Sequence, residues 1–151
     1  FTQSLAQRLN ESTALTVQEA RAGDRIARGL VLMAPGDYHL RFGPRHQILV
    51  EQGPRHNHLR PSVDVTMISA AAHYGSAVIG VVLTGMGNDG TEGAKHIRAA
   101  GGRVMAESAA SAVVYGMPRS VAEAGLAEQV VPLSQIAGLL KEWVGRGEPG
   151  I

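Results

Sequence analysis

The chain predicts an α/β fold: a doubly wound, mostly parallel sheet flanked by helices, with an antiparallel β-hairpin. Three observations carry this. The run Ala77-Val78-Ile79-Gly80-Val81-Val82-Leu83 is unbroken in apolar character, as in strands covered on both faces of a parallel sheet. Extended segments alternate with segments of helical period. The sequence also holds 19 glycines, many of them at strand-to-helix junctions where the chain must turn tightly.

Taken in order, Phe1, Leu5 and Leu9 recur at helical spacing and predict a short helix ending near Asn10, with these three as its apolar stripe. A strand follows over residues 15–19, then a turn at Ala22-Gly23-Asp24. Leu30-Val31-Leu32-Met33-Ala34 reads as a buried strand stopped by Pro35-Gly36-Asp37. Residues 38–42 and 47–51 flank Gly43-Pro44-Arg45-His46 and form the hairpin. Residues 52–61 lack periodicity and read as a loop. Ser62 or Asp64 caps a helix running to about Tyr74, with Val65, Ile68 and Ala72 on one face and Gly75 closing it.

The apolar run at 77–83 is taken as the central strand. A helix over 90–100, a Gly101-Gly102 stop and a strand over 103–107 complete a βαβ unit. Two short helices at 108–115 and 118–123 and a strand over 128–131 lead to a last helix, with Leu133, Ile136, Leu140 and Trp143 as its buried stripe. Met117-Pro118 opens the second short helix, because proline suits a first turn. Residues 1–144 thus form one domain, and 145–151 read as a tail.

Composition narrows the function classes. With 151 residues, 44% hydrophobic and 18% charged, the chain suits one globular domain and excludes disorder. A net charge of +1 gives no long-range field toward nucleic acid or a membrane surface. The absence of cysteine removes disulfides and thiol nucleophiles and fits a reducing cytoplasm. No apolar run approaches the roughly 20 residues of a membrane span. The chain opens on Phe1 and reads as a piece of something longer.

In open α/β sheets ligands sit at the carboxyl ends of strands, which directs attention to the loop after Leu83. It reads Thr84-Gly85-Met86-Gly87-Asn88-Asp89-Gly90-Thr91. Three glycines let the backbone turn sharply beside a helix N-terminus and leave N–H groups available to negative charge. Gly85-x-Gly87-x-x-Gly90 matches a dinucleotide fingerprint, with Glu107 about 20 residues on as the ribose acid. Asp89 opposes that reading, because its carboxylate would stand where the pyrophosphate belongs. On spacing alone Asp89 is most cheaply explained as a helix cap. Its functional alternative is to hold a histidine in the right tautomer.

Leu83-Thr84-Gly85-Met86-Gly87-Asn88-Asp89-Gly90 resembles the signature of chemotaxis protein-glutamate methylesterases. Phe1-Thr2-Gln3-Ser4-Leu5-Ala6-Gln7-Arg8-Leu9, Ala34-Pro35-Gly36-Asp37-Tyr38-His39-Leu40, Arg60-Pro61-Ser62-Val63-Asp64 and Tyr115-Gly116-Met117-Pro118-Arg119 are similar to further family motifs, in the same order. The resemblance implies hydrolysis of glutamate γ-methyl esters on methyl-accepting chemoreceptors through a Ser-His-Asp mechanism, often with deamidation of glutamines. It makes Asp89 the acid of the triad. It also assigns Met86, between Gly85 and Gly87, a backbone N–H that helps bind the oxyanion. The family's nucleophile and histidine belong to a segment before Phe1, and no Gly-x-Ser-x-Gly elbow occurs in this chain. That segment is roughly 40 residues on the scale of a βαβ unit. Without it the chain is expected to be inactive, and its sheet to expose apolar edges. An N-terminal receiver domain is the further partner the resemblance implies.

Arg55, His58 and Arg60 suggest a basic rim that would suit acidic receptor helices, although a solvated polar loop explains them as well. His56-Asn57-His58 makes a weak metal pair, and neither metal nor cofactor is expected. His73 and His96 read as surface or packing residues of helices. Ser62, Ser108 and Ser111 read as caps and turns. Besides the esterase, a nucleotide binder, a phosphate-cradling module and a noncatalytic remnant serving protein interaction remain as readings.

Overall fold

The computed structural model describes residues 1–146. Helix α1 (Thr2–Ser12) precedes β1 (Thr16–Glu19) and β2 (Leu30–Met33), and β3 (His39–Phe42) and β4 (Ile48–Glu51) form the hairpin. Helix α2 (Val63–Tyr74) leads to β5 (Ile79–Val82), α3 (Thr91–Ala99) and β6 (Arg103–Glu107). Helix α4 (Met117–Glu123), β7 (Gln129–Val131) and α5 (Leu133–Arg146) complete the chain. The residues of the expected tail beyond 146 lie outside the described residues. Gly145 itself belongs to α5.

The α/β class with parallel pairing and one antiparallel hairpin is as expected, but the strands fall into three separate sheets. These are β1-β2 parallel, β3-β4 antiparallel, and β5-β6-β7 parallel. The hairpin pairs His39 with Glu51 and Phe42 with Ile48 around a single 3₁₀ turn at Pro44–His46.

The expected central strand, β5, stands at the edge of its sheet, and β6 is central. The difference follows from which faces are covered. Val104 and Ala106 of β6 join Val82, Ala94, Ile97, Ala71 and Val121 in a core under α2, α3 and α4. On the opposite face Met105 packs with Ile136 and Trp143 of α5. Among the described residues only β6 is buried on both faces and paired on both sides. The charges of Arg103 and Glu107 at its ends masked this in the sequence. Arg103 lies 3.9 Å over the Trp143 ring, a cation–π contact, and pairs with Glu128 at 2.8 Å.

Three further expectations are corrected. In α1, Phe1, Leu5 and Leu9 are exposed, and the face turned to β1 is Thr2, Ala6 and Asn10. Its polar members decide this: Thr2 Oγ1 donates to Glu19, and Asn10 Oδ1 accepts from Val17 N at 2.8 Å. Strand β2 is only partly buried, because it has one partner strand and Val31 is exposed. In α2 Val65, Ile68 and Ala72 do share one face, as expected, and line an open groove with Arg41 and Phe42, while Asp64, Ala70 and Ala71 are the buried residues. Leu133 is exposed, although Ile136 and Trp143 of its helix are buried.

Residues 108–115 are not helical beyond the turn closed by Ala112 N on Ser108 O. Side-chain bonds to Glu107 and Thr84 hold them elsewhere. Helix α4 carries proline in its first turn, as expected. No helix among the described residues is long and apolar enough to cross a membrane.

Candidate functional site

Past Val82 the chain enters a loop whose first half is stitched to residues 107–117. Thr84 N donates to Oε1 of Glu107 at 2.9 Å, and Ser111 Oγ donates to Oε2 at 2.7 Å, so both oxygens of this buried carboxylate are engaged. Thr84 Oγ1 donates to Val114 O and accepts from Val114 N. Gly85 N donates to Val114 O at 3.0 Å, while Gly85 O accepts from Gly116 N and Met117 N. Ser111 Oγ also accepts from Leu133 N. Val114 N, which a helix over 108–115 would have bonded to Ala110 O, is instead taken by Thr84 Oγ1.

Gly116 is present for space. A Cβ there would lie 2.7 Å from Gly85 O and 2.9 Å from Gly87 N, both rigid backbone atoms. Gly116→Ala is expected to push the loop outward and cost about 1–3 kcal/mol. A Cβ at Gly138, inside α5, meets nothing within 4 Å. Gly138→Ala should therefore gain about 0.5–1 kcal/mol. Urea denaturation of the two variants checks the contrast.

The second half of the loop turns through Gly87 and Gly90, at φ +91° and +101°, which a side chain would strain. Between them lies Asp89, 8% exposed, and its carboxylate points into the protein. Oδ1 accepts from Ser62 Oγ at 2.9 Å and Asp64 N at 3.0 Å, and Oδ2 accepts from Val63 N at 2.7 Å. These donors sit at the N-terminus of α2. Asp89 therefore caps a helix, but not its own. The N-cap residue of α3 is Gly90, which makes no side-chain capping bond. Ser62 holds the N-cap position of α2, yet its hydroxyl serves Asp89 and makes no capping bond to its own helix.

Asp64, 2% exposed, returns the arrangement. Its Oδ1 accepts from Gly90 N at 2.9 Å and Gly93 N at 2.7 Å at the start of α3. Its Oδ2 faces His56 Nε2 at 3.3 Å. The two helices thus exchange carboxylates, and each N-terminal dipole faces the other's negative charge. The helices lie close enough for this because α3 carries Gly93, where a Cβ would meet Met67 Cβ at 2.5 Å.

This exchange opposes the dinucleotide and phosphate readings. The N–H groups that would cradle phosphate at Gly90 and Gly93 are bonded to Asp64, and Thr91 N donates to Asn88 O. Glu107, the expected ribose acid, is buried with both oxygens engaged.

Comparison with known proteins fits the geometry. A family model described as CheB methylesterase matches residues 1–140. The chain belongs to the CheB methylesterase family. Its sequence is 48% identical over 147 residues to a protein-glutamate methylesterase/protein-glutamine glutaminase of Symbiobacterium thermophilum, covering 97% of this chain and 41% of that protein. It is 44% identical over 144 residues to the protein-glutamate methylesterase FrzG of Myxococcus xanthus, covering 95% and 43%. The fold matches the crystal structure of the Thermotoga maritima CheB methylesterase catalytic domain with a TM-score of 0.91 at 44% identity, covering 95% of this chain and 78% of that one. The chain spans about two fifths of the length of the relatives it matches.

Among the residues the sequence singled out in this CheB-family chain, Met86 is at the tip of the loop, 87% exposed. Among the described residues the N–H groups of Met86 and Gly87 have no hydrogen-bond partner, whereas that of Gly85 is taken by Val114 O. Arg60 is held by Asp37, with Nη2 to Oδ1 at 2.7 Å, and by Gly53 O at 3.1 Å. Arg55 joins the same Asp37 at 3.2 Å. The Arg60 hydrogen bond lowers the Asp37 carboxyl below its ordinary value. His58 is exposed at a left-handed turn with Asn57. The basic rim is thus partly neutralised from within. His73 and His96 are exposed on their helices.

Sequence reasoning missed Ser62 and Asp64 as partners of the loop, and Glu107 as its anchor. The available signal was an acid near the start of each of two consecutive helices, but only the packing of α2 on α3 says that each serves the other.

Proposed function

We propose that this chain is the acid-bearing part of a cytoplasmic methylesterase domain acting on glutamate γ-methyl esters of chemoreceptors. Asp89 is its triad carboxylate and the Met86 N–H lies in its oxyanion hole. The observation that carries the reading is the state of Asp89. It is buried, held by three donors, and has one of its roughly four acceptor positions still open, on Oδ2. A carboxylate fixed in this way can accept a single N–H from an imidazole and stabilise the imidazolium.

A histidine and a serine from the upstream segment complete the site. The serine oxygen attacks the ester carbonyl while the histidine takes its proton, and the oxyanion accepts the Met86 N–H. The histidine then protonates departing methanol, and water releases glutamate from the acyl-enzyme. With a glutamine amide the same route expels ammonia, in keeping with the paired name of the Symbiobacterium relative. His58 and the outer edge of Arg60 form the rim toward an acidic receptor helix, and an N-terminal receiver domain regulates access.

The experiment compares this chain with the protein that includes the preceding residues, using methylated receptor and measuring methanol. The longer protein is expected to release methanol, and the chain alone none above buffer. Release by the chain alone would remove the upstream serine from the mechanism.

A further inference from the structure

Ser62 has one hydrogen available, and it spends it on Asp89. The residue is 1% exposed and sits at the N-cap position of α2, where a hydroxyl ordinarily accepts from a backbone N–H two or three residues on. Here Ser62 makes no such bond. Its Oγ–H donates at 2.9 Å to Oδ1 of Asp89, and capping of Val63 N and Asp64 N passes to that carboxylate. A helix start that needs only a cap would be served by serine alone. The pair forms instead a relay in which the hydroxyl fixes the rotation of a carboxylate across 27 residues of sequence.

We propose that Ser62 is a positioning residue for the hydrolytic reaction, setting the orientation of Asp89 and its hold on a facing imidazole; this rests on the proposed triad role of Asp89. Two backbone donors, Val63 N and Asp64 N, approach one on each oxygen and define the plane of the carboxylate. Ser62 adds a second donor to Oδ1 alone. That bond withdraws negative charge from Oδ1 and leaves Oδ2 as the oxygen with an open acceptor position. Without it the carboxylate binds a facing imidazolium more tightly and rotates more freely about χ2. The first change raises the pH at which the histidine loses its proton, because an opposite charge nearby favours the protonated imidazole. The second lowers the fraction of molecules with the imidazole in line for attack.

The test uses the full-length protein with methylated receptor. Ser62→Ala is expected to lower kcat about tenfold, the size set by one hydrogen bond to a charged group, with KM unchanged. The acidic limb of the kcat profile should move to higher pH. Ser62→Thr, which keeps the hydroxyl, should return the limb toward its original position. Ser62→Gly, tolerated at N-cap positions, carries the same test if the alanine variant does not fold. A purely structural serine would lower the melting temperature and the folded fraction only. Unchanged kcat per folded molecule with an unmoved acidic limb therefore overturns the proposal. Asp89→Asn in the same assay separates the two levels. If it leaves turnover intact the triad reading itself fails, whereas a collapse there beside a silent Ser62→Ala removes only the role of Ser62.

Discussion

Asp89→Asn in the full-length protein is expected to lower methanol release by about 10⁴-fold, the size of effect seen when a triad carboxylate becomes an amide. The hydrogen bonds around Asp89 say why the isosteric change is so damaging. Oδ1 faces two donors, Ser62 Oγ and Asp64 N, and Oδ2 faces one, Val63 N. An asparagine would turn its oxygen toward the two donors and its NH₂ group toward Val63 N and the imidazole. It would then offer a hydrogen where the histidine needs an acceptor, and select the wrong tautomer. The same orientation sets an N–H against the Val63 N–H at a 2.7 Å spacing. Stability should fall with it, by about 1–3 kcal/mol. Turnover per folded molecule, measured beside a melting curve, separates the effects. A fall in melting temperature with turnover intact would leave Asp89 as a cap of α2 and nothing more.

The largest stability effect is expected at Asp64. Gly90 N and Gly93 N are buried and share its Oδ1 as acceptor. Asp64→Ala leaves both without a partner and withdraws a negative charge from the start of α3. At about 1–3 kcal/mol for each of the two orphaned donors the loss should reach about 2–6 kcal/mol. That is a large share of the 5–15 kcal/mol typical of a domain. Asp64→Asn keeps an oxygen in the Oδ1 position and should lose less than half as much. Urea denaturation of the two variants tests this, and equal losses would mean that charge rather than hydrogen bonding holds α3 in place.

Local elements were legible because local chemistry makes them. The hairpin around Gly43-Pro44, the strand ending at Glu107, the helix stopped by Gly101 and the proline-led α4 all follow from residues within a few positions of one another. What failed depended on partners far along the chain. An unbroken apolar run placed β5 at the centre of the sheet, but centrality belongs to β6, whose two faces are covered by α2–α4 and by α5. Periodicity found the stripe Phe1, Leu5 and Leu9, yet Asn10 and Thr2 bind β1 and turn another face of α1 inward. The helix expected over 108–115 gave way to bonds between Val114 and Thr84, 30 residues apart in sequence. In the candidate site, Asp89 was visible as a carboxylate after a glycine-rich turn. The serine and the second aspartate that fix it were visible only as helix-start residues, because their common partner lies across a helix pair.

The exchange of carboxylates between α2 and α3 bears on how portable the site is. The motif from Leu83 to Gly90 reads as a self-contained module, yet the direction of its acid is written in α2, by Ser62, Val63 and Asp64. Grafting the loop alone onto another α/β scaffold would transplant the motif without its aim. The heritable unit is a pair of helix beginnings, and an engineer borrowing this chemistry would need to move both.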